Sequence, residues 1–370
     1  MMRGDEFRVI RVEAWPVVLP LVEPFVVATG SMTVAHNVFV RVQLQNGAYG
    51  FGEMAPFPDI SGEDQAGCLA AFSSAATILL GQSAWHWRKL ALELVACTLK
   101  VPAVRCGLET ALLDALCRGM RVPLWSLWGG ADVRIRTTDV TLPIGEIEQV
   151  VETARRWFAR GFRVFKMKVG QDVEADIQRV DAVFRVFPSA SFVIDANQGF
   201  TANQTLIFLD AVHRRRIPVI LLEQPVHRED WDGLLTVHRQ SSIPIAADES
   251  VRSLADAERL IRAQAVDVLN IKITKCGVVE SVDIANLARG AGLRLMIGGM
   301  VESRVAMGCS LSLVLGIGGF EFIDLDMPLL LTHDPIVGGY RYEGHALYPW
   351  ETPGLGQELP SDSLQTIVIQ

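Results

Sequence analysis

Eight short apolar runs recur through the last two-thirds of the chain, each followed by a stretch of helical composition. They are TTDVTLPI, RVFKMKV, SFVIDAN, PVILLEQP, IPIAADES, VDVLNIKI, LRLMIGG and GFEFIDLD, and their last residues fall at intervals of roughly 25. Such runs read as strands covered on both faces, since a strand with one wet face alternates apolar and polar residues instead. Strands that all run one way need crossover connections of a dozen or more residues, which the intervening helices supply. An open doubly wound sheet would alternate too, but no glycine-rich phosphate turn follows the first run. Eight repeats favour closure into a parallel barrel.

The first third differs in kind. Residues 7–54 alternate in the manner of antiparallel strands, with Asn46-Gly47 as the turn between NVFVRVQLQ and AYGFGE. Residues 64–120 read as helices, GLETALLDALCRGM most clearly. The expected organisation is an α+β domain over 1–130 and a barrel over 131–334. The tail, 335–370, lacks the barrel rhythm and is expected to pack back on the first domain.

Bulk properties exclude several function classes. A net charge of −8 without a basic stripe argues against a nucleic-acid surface, and His213 to Arg216 read as a solvated helix end. No apolar run reaches the ~18 residues of a membrane span, and MMRGDEF lacks the apolar stretch of a signal peptide. The six cysteines (68, 97, 106, 117, 276, 309) show no CxxC pairing and read as free thiols, four of them buried in the apolar segment 68–117. A cytoplasmic homo-oligomer with a small-molecule substrate, and no nucleic-acid or membrane partner, is expected.

In a parallel barrel the working face is the carboxyl end of the strands, and the unexplained charges lie there. VIDAN carries Asp195 and Asn197, LLEQP carries Glu223, and AADES carries Asp248 and Glu249. Acids directly after apolar runs are costly unless paired or metal-bound. Asp195, Glu223 and Asp248 end successive strands, and three hard oxygen ligands suit Mg²⁺. The plainer reading of each acid alone is a helix N-cap, the weaker of the two for any one of them and much weaker for three together. Lys166 and Lys168, two apart in FKMKV, point to one side of a strand. Lys272 ends a strand four places further round, opposite Lys168 across the barrel. The other reading of KMK is a solvated edge strand, but barrels have no edges. Lys275 reads as a solvated loop residue.

One amine on each face of a bound carboxylate-bearing substrate can remove a proton from carbon and return it on the other side. A divalent cation on the carboxylate would stabilise the developing enediolate. Two lysines therefore point to racemisation or epimerisation, with Lys166 tuning Lys168.

These motifs resemble those of the enolase superfamily, muconate-lactonizing subgroup: GFGE near residue 50, KMK, DAN, EQP, ADES, NIKITKCG and TPGLG, in order and over nearly the whole chain. A lysine base with Mg²⁺ is general knowledge of that superfamily. The resemblance implies a (β/α)7β TIM-like barrel under an α+β capping domain built from the N-terminal third and the tail. It implies one Mg²⁺ per subunit on Asp195, Glu223 and Asp248, with Asn197 and Glu249 supporting these ligands, and Lys168 and Lys272 as the acid–base pair. IDLD places Asp324 and Asp326 two apart at the eighth strand's end. There the sequence is similar to the dipeptide epimerases, in which an Asp-x-Asp holds the substrate's terminal ammonium; two acids in a polar loop is the plainer alternative.

Specificity rests on EPFVVATGSMT, which has no Lys or Arg from Pro24 to Val40. Gly30 stands where epimerases acting on Ala-Glu carry an arginine. Phe25, Val27, Met32 and the Pro56-Phe57-Pro58 turn would make an apolar wall, and Gly298, Gly299 and Met300 of MIGGMVES would line the N-terminal residue's pocket or simply form a turn. A dipeptide with a hydrophobic or uncharged C-terminal residue is the expected substrate. The rivals are an N-succinylamino-acid racemase or o-succinylbenzoate synthase of the same superfamily, a Schiff-base aldolase and a non-catalytic metal-binding protein.

Overall fold

A computed structural model describes residues 6–359 and 367–369. The chain begins with three antiparallel strands, β1 (Val9–Val27), β2 (Gly30–Leu44) and β3 (Tyr49–Met54), followed by α1 (Pro58–Ser61), α2 (Gln65–Leu79), α3 (Trp87–Thr98) and α4 (Pro102–Met120). Val12, Ala14, Val38, Val40 and Val42 of the sheet share a buried core with Phe72 and Leu79 of α2 and with Leu108, Leu112 and Ala115 of α4. The glycines of AYGFGE have a steric cause. A Cβ at Gly50 would lie 2.1 Å from Ala115 N, and one at Gly52 would lie 1.9 Å from Gly107 O, so β3 rests directly on the α4 backbone.

After β4 (Arg136–Thr137) come β5 (Val140–Leu142), α5 (Ile147–Ala159), β6 (Val164–Lys168), α6 (Val173–Val186), β7 (Ser191–Asp195), α7 (Ala202–Arg214), β8 (Val219–Glu223) and α8 (Trp231–Gln240). The series continues with β9 (Ile245–Ala247), α9 (Leu254–Ala263), β10 (Val268–Ile271), α10 (Ile273–Cys276), α11 (Val278–Gly290), β11 (Arg294–Ile297), α12 (Arg304–Ile317) and β12 (Phe320–Ile323). Strands β5 to β12 form one eight-stranded sheet in sequence order, and its pairs are parallel. All eight apolar runs are thus strands of one parallel sheet. Val193, Leu221, Ala246, Val268, Met296 and Phe322, one from each of six strands, form an inner cluster apart from the helix-facing core. First and last strands meet through Asp139 N donating to Ile323 O (3.1 Å), Leu325 N to Thr138 Oγ1 (2.9 Å) and Thr141 N to Asp326 Oδ2 (2.6 Å). One main-chain bond and two side-chain acceptors therefore close the curled sheet where the regular ladder stops.

In the tail, β13 (Val337–Gly338) pairs with β16 (Gln357–Glu358), β14 (Arg341–Glu343) with β15 (Ala346–Tyr348), and β15 with β4. The last strand, β17 (Ile367–Ile369), pairs antiparallel with β1. Buried Asp114 of α4 ties this end in, accepting from Leu355 N (2.7 Å) with one oxygen and from Phe51 N (2.8 Å) with the other.

Two contacts seat the N-terminal domain on the barrel. Glu53 of GFGE is fully buried and accepts from Ser303 N, Ser303 Oγ and Ala306 N at the start of α12. Its other donor is Asn37, which also bonds Val301 O. Glu109 of α4 accepts from Val279 N (2.9 Å) at the start of α11. All six cysteines are free; five are buried, whereas Cys97, expected inside, is exposed on α3. Among the described residues no helix is long and apolar enough to cross a membrane.

Candidate active site

The parallel register decides which strand ends meet. Lys168 is paired with Asp195 across β6 and β7, and Asp195 with Glu223 across β7 and β8. Asp248 follows β9 by one residue and Lys272 follows β10 by one. All five, with Lys166, are buried. Lys168 Nζ donates to Asp195 Oδ2 (2.7 Å), and Lys272 Nζ to Asp248 Oδ2 (2.6 Å). Lys166 Nζ lies 2.7 Å from Glu223 Oε2, 3.0 Å from Asp195 Oδ2 and 2.7 Å from Asp324 Oδ2.

Burial alone would push these carboxyls to the neutral form, but the lysines reverse that for two of them. Lys166, Lys168 and Lys272 hold Asp195 below the ordinary carboxylate range, and Lys272 and Lys275 do the same for Asp248. Glu223 and Glu249 go the other way, to about 7 and about 8, through burial and then through the neighbouring charges of Asp195 and Asp248. Burial lowers Lys166 as well, yet Asp195, Asp324, Glu223 and Asp139 outweigh it and keep the group an ammonium.

A small enclosed cavity over these groups is lined by Lys166, Lys168, Lys272, Asn197 and Asp324, beneath a largely apolar roof of Phe25, Phe57, Ile60, Met300, Val301 and Met327. Phe25 of the roof comes from the hairpin β1–β2, where it pairs with Met32. Phe57 and Ile60 come from the start of the short helix α1 and from within it, and Met300, Val301 and Met327 from the segments after β11 and β12. The segment EPFVVATGSMT is thus a paired hairpin tip.

Several expected residues stand elsewhere. Gly30 does not line the cavity: a Cβ there would come within 2.0 Å of Asp59 Oδ2, so its side-chain space belongs to α1. Gly298 lies beneath Lys272, where a Cβ would approach Lys272 Cε at 3.1 Å; it leaves room for the lysine stem. Of the acid pair only Asp324 lines the cavity. The strand ends at Ile323, so the period of two no longer applies, and Asp326 bonds Thr141 N in the closing seam. Burial and then Asp324 raise its carboxyl to about 7. Glu249 accepts from Asn197 (3.2 Å) and lines the next recess.

The expectation for Lys275 is wrong. It is 7% exposed, because the chain turns into α10 directly after β10 and drives it back under Asp248. Its Nζ donates to Asp248 Oδ1 (2.6 Å), Asp248 O (2.7 Å) and Asn270 O (2.9 Å). Asp139 was also missed. It is buried in the closing seam beside Asp324, and burial followed by the charges of Asp324 and Asp326 raises it well above the carboxylate range. An acid within TTDVTLPI carries no sign of that neighbour.

Among the described residues no three His, Cys, Asp or Glu side chains already surround one point as a finished metal site. The chemistry of the set nevertheless fits a hard cation. Buried carboxylates crowd until they raise one another's pKa, Glu249 Oε2 has no partner, and lysine ammoniums hold the oxygens. Asp195, Glu223 and Asp248 are the residues that would hold Mg²⁺.

The mouth of this parallel barrel thus gathers buried carboxylates and lysines in one place. Residues 149–363 match the family model described as enolase C-terminal domain-like, and residues 9–129 that of the mandelate racemase/muconate lactonizing enzyme N-terminal domain. The chain belongs to the enolase superfamily. It is 43% identical over 342 residues to an aromatic dipeptide epimerase of Herpetosiphon aurantiacus, covering 92% of this chain and 96% of that one. It is 36% identical over 351 residues to a hydrophobic dipeptide epimerase of Citrifermentans bemidjiense, covering 92% and 94%. The structure of a dipeptide epimerase from Cytophaga hutchinsonii, complexed with Mg and D-Ala-L-Val, matches with a TM-score of 0.94 at 31% identity, covering 98% and 100%.

Proposed function

We propose that this protein is a Mg²⁺-dependent dipeptide epimerase that inverts the α-carbon of the C-terminal residue, preferring hydrophobic or uncharged dipeptides. The observation that carries this reading is the cavity itself. One carboxylate, Asp324, and two opposed lysines, Lys168 and Lys272, share a small space under Phe25, Phe57, Ile60 and Met300. A dipeptide needs a carboxylate partner for its ammonium and, for inversion, a proton carrier on each side of its α-carbon. A bound magnesium ion would supply the positive charge that lets a proton beside a carboxylate be removed.

The chain's residues divide the remaining work. Asp324 orients the ammonium, while Lys166 holds Asp324 in place from behind. Lys168 removes or returns the proton on one face through Nζ, and Lys272 does so on the other. Each first leaves the aspartate it contacts, Asp195 or Asp248. The apolar roof excludes water and receives the C-terminal side chain. Only the three lysines among the cavity-lining residues carry positive charge, and the hairpin tip offers no guanidinium for an acidic side chain.

The test is deuterium uptake at the α-carbon, followed by mass spectrometry in D₂O with Mg²⁺ and with an EDTA control. A one-dalton gain in Ala-Leu or Ala-Phe, abolished by EDTA, is expected. Faster exchange in Ala-Glu would overturn the specificity. Exchange confined to N-succinylamino acids would replace the dipeptide reading with that of a racemase.

A further inference from the structure

Four buried lysines surround the carboxylates, and an ammonium has three hydrogens to place. Counting partners divides the four into two kinds. Lys275 Nζ has three acceptors within 2.9 Å: Asp248 Oδ1, Asp248 O and Asn270 O. Lys166 Nζ donates to Asp324 Oδ2 and is held by the charges of Glu223 and Asp195, whose oxygens lie within 3.0 Å. Lys168 and Lys272 each have one acceptor, Asp195 and Asp248 respectively. Both of these face the cavity, whereas Lys275 does not line it.

The two kinds occur as pairs. On one wall Lys166 and Lys168 share Asp195; on the other Lys275 and Lys272 share Asp248. An amine that acts on substrate must leave its aspartate, and that aspartate keeps its place only if another group still holds it. Lys275 cannot leave without orphaning its own hydrogens, so it stays on Asp248 while Lys272, with one hydrogen bond, moves. Asp248 binds the two through different oxygens, Lys275 at Oδ1 and Lys272 at Oδ2, so Lys272 can depart while Oδ1 remains held.

We infer that Lys275 is a positioning residue, the fixed ammonium that holds Asp248 so that Lys272 is free to exchange protons with the substrate. It does on the Lys272 face what Lys166 does on the Lys168 face. This rests on the dipeptide reading for its substrate, but the anchoring of Asp248 does not.

Two measurements test it. The first is α-proton exchange into D₂O, measured separately from the L,L and L,D forms of one dipeptide at early times. In Lys275→Met, exchange from the form served by Lys272 should fall at least about 30-fold, while exchange from the form served by Lys168 changes less than about threefold. Lys166→Met should show the opposite bias, and Lys275→Arg should recover part of the lost face. Equal loss on both faces, or no loss on either, would overturn the inference. The second needs no substrate: thermal unfolding of the metal-free protein. Lys275→Met should lower Tm by several degrees and Lys272→Met by clearly less, because only the anchor is committed to the folded state. The cost of Lys275→Met should also shrink in an Asp248→Asn background. A cost unchanged in that background would overturn the anchoring. If the unaltered enzyme exchanged no dipeptide proton, the dipeptide reading would fail, and the unfolding comparison would still decide the role of Lys275.

Discussion

Replacing Asp324 by Asn keeps the size of the side chain and removes the charge proposed to meet a substrate ammonium. Steady-state kinetics should show kcat/KM for Ala-Leu falling about 100-fold, in line with about 3 kcal/mol for one partner of a buried charged pair. Substrates that lack the ammonium should lose far less. For the acids at the strand ends, Asp195→Asn should weaken Mg²⁺ binding by at least about tenfold in calorimetric titration, because one of the three proposed charged ligands is lost. At this scale the sequence was informative where a charge closes an apolar run, since burying it there requires a partner. It failed at Lys275 and Asp139. The loop beyond Lys272 is a helical turn that folds Lys275 inward, and Asp139 meets Asp324 only because strands 185 residues apart in sequence close the sheet.

Among the elements, helix starts join the two parts of the molecule. Glu53 serves the first turn of α12, so Glu53→Ala would leave Ser303 N and Ala306 N buried without their acceptor and cost Asn37 Nδ2 one of its two. Denaturant unfolding should register a loss of about 3 kcal/mol, with Glu53→Gln costing less. Gly277 sits between α10 and α11 at φ +82°, and a Cβ there would press within 2.8 Å of Glu109 Oε2 and 2.9 Å of Arg105 Nε. Gly277→Ala should cost about 2 kcal/mol or more by the same measurement, from backbone strain and displaced contacts. The sequence marks these elements through apolar periodicity and the GFGE glycines. It cannot show that Glu53 meets α12, because 250 residues separate Glu53 from Ser303.

At the level of the whole molecule, the seam between N-terminal domain and barrel should respond to pH. Burial raises Glu109 to about 7, against the opposing pull of Val279 N–H and Arg105. The folded-state pKa lies above the unfolded value of ~4.3. The native state therefore binds the proton more tightly, and this contribution, fully present below about pH 4, is lost as pH rises through about 7. Glu109→Gln should keep an acceptor for Val279 N and flatten the decline in stability between about pH 5 and 8, a change of up to about 3 kcal/mol for this group. Unfolding curves of the two proteins across that range check it.

The sequence by itself determined the eight parallel strands, the antiparallel sheet and helices before them, and the acids and lysines at the strand ends. Those are set by local patterns, since a buried strand must be apolar along its length and a charge ending it must find a partner. Tertiary structure alone decided which partners those are. It joined the first strand to the eighth, gave Asp248 its second lysine, turned Asp326 away from the cavity and filled the space beside Gly30 with Asp59. Contacts of that kind depend on how the sheet curls and where the hairpin tip comes to rest, geometry that arises only when distant segments pack together.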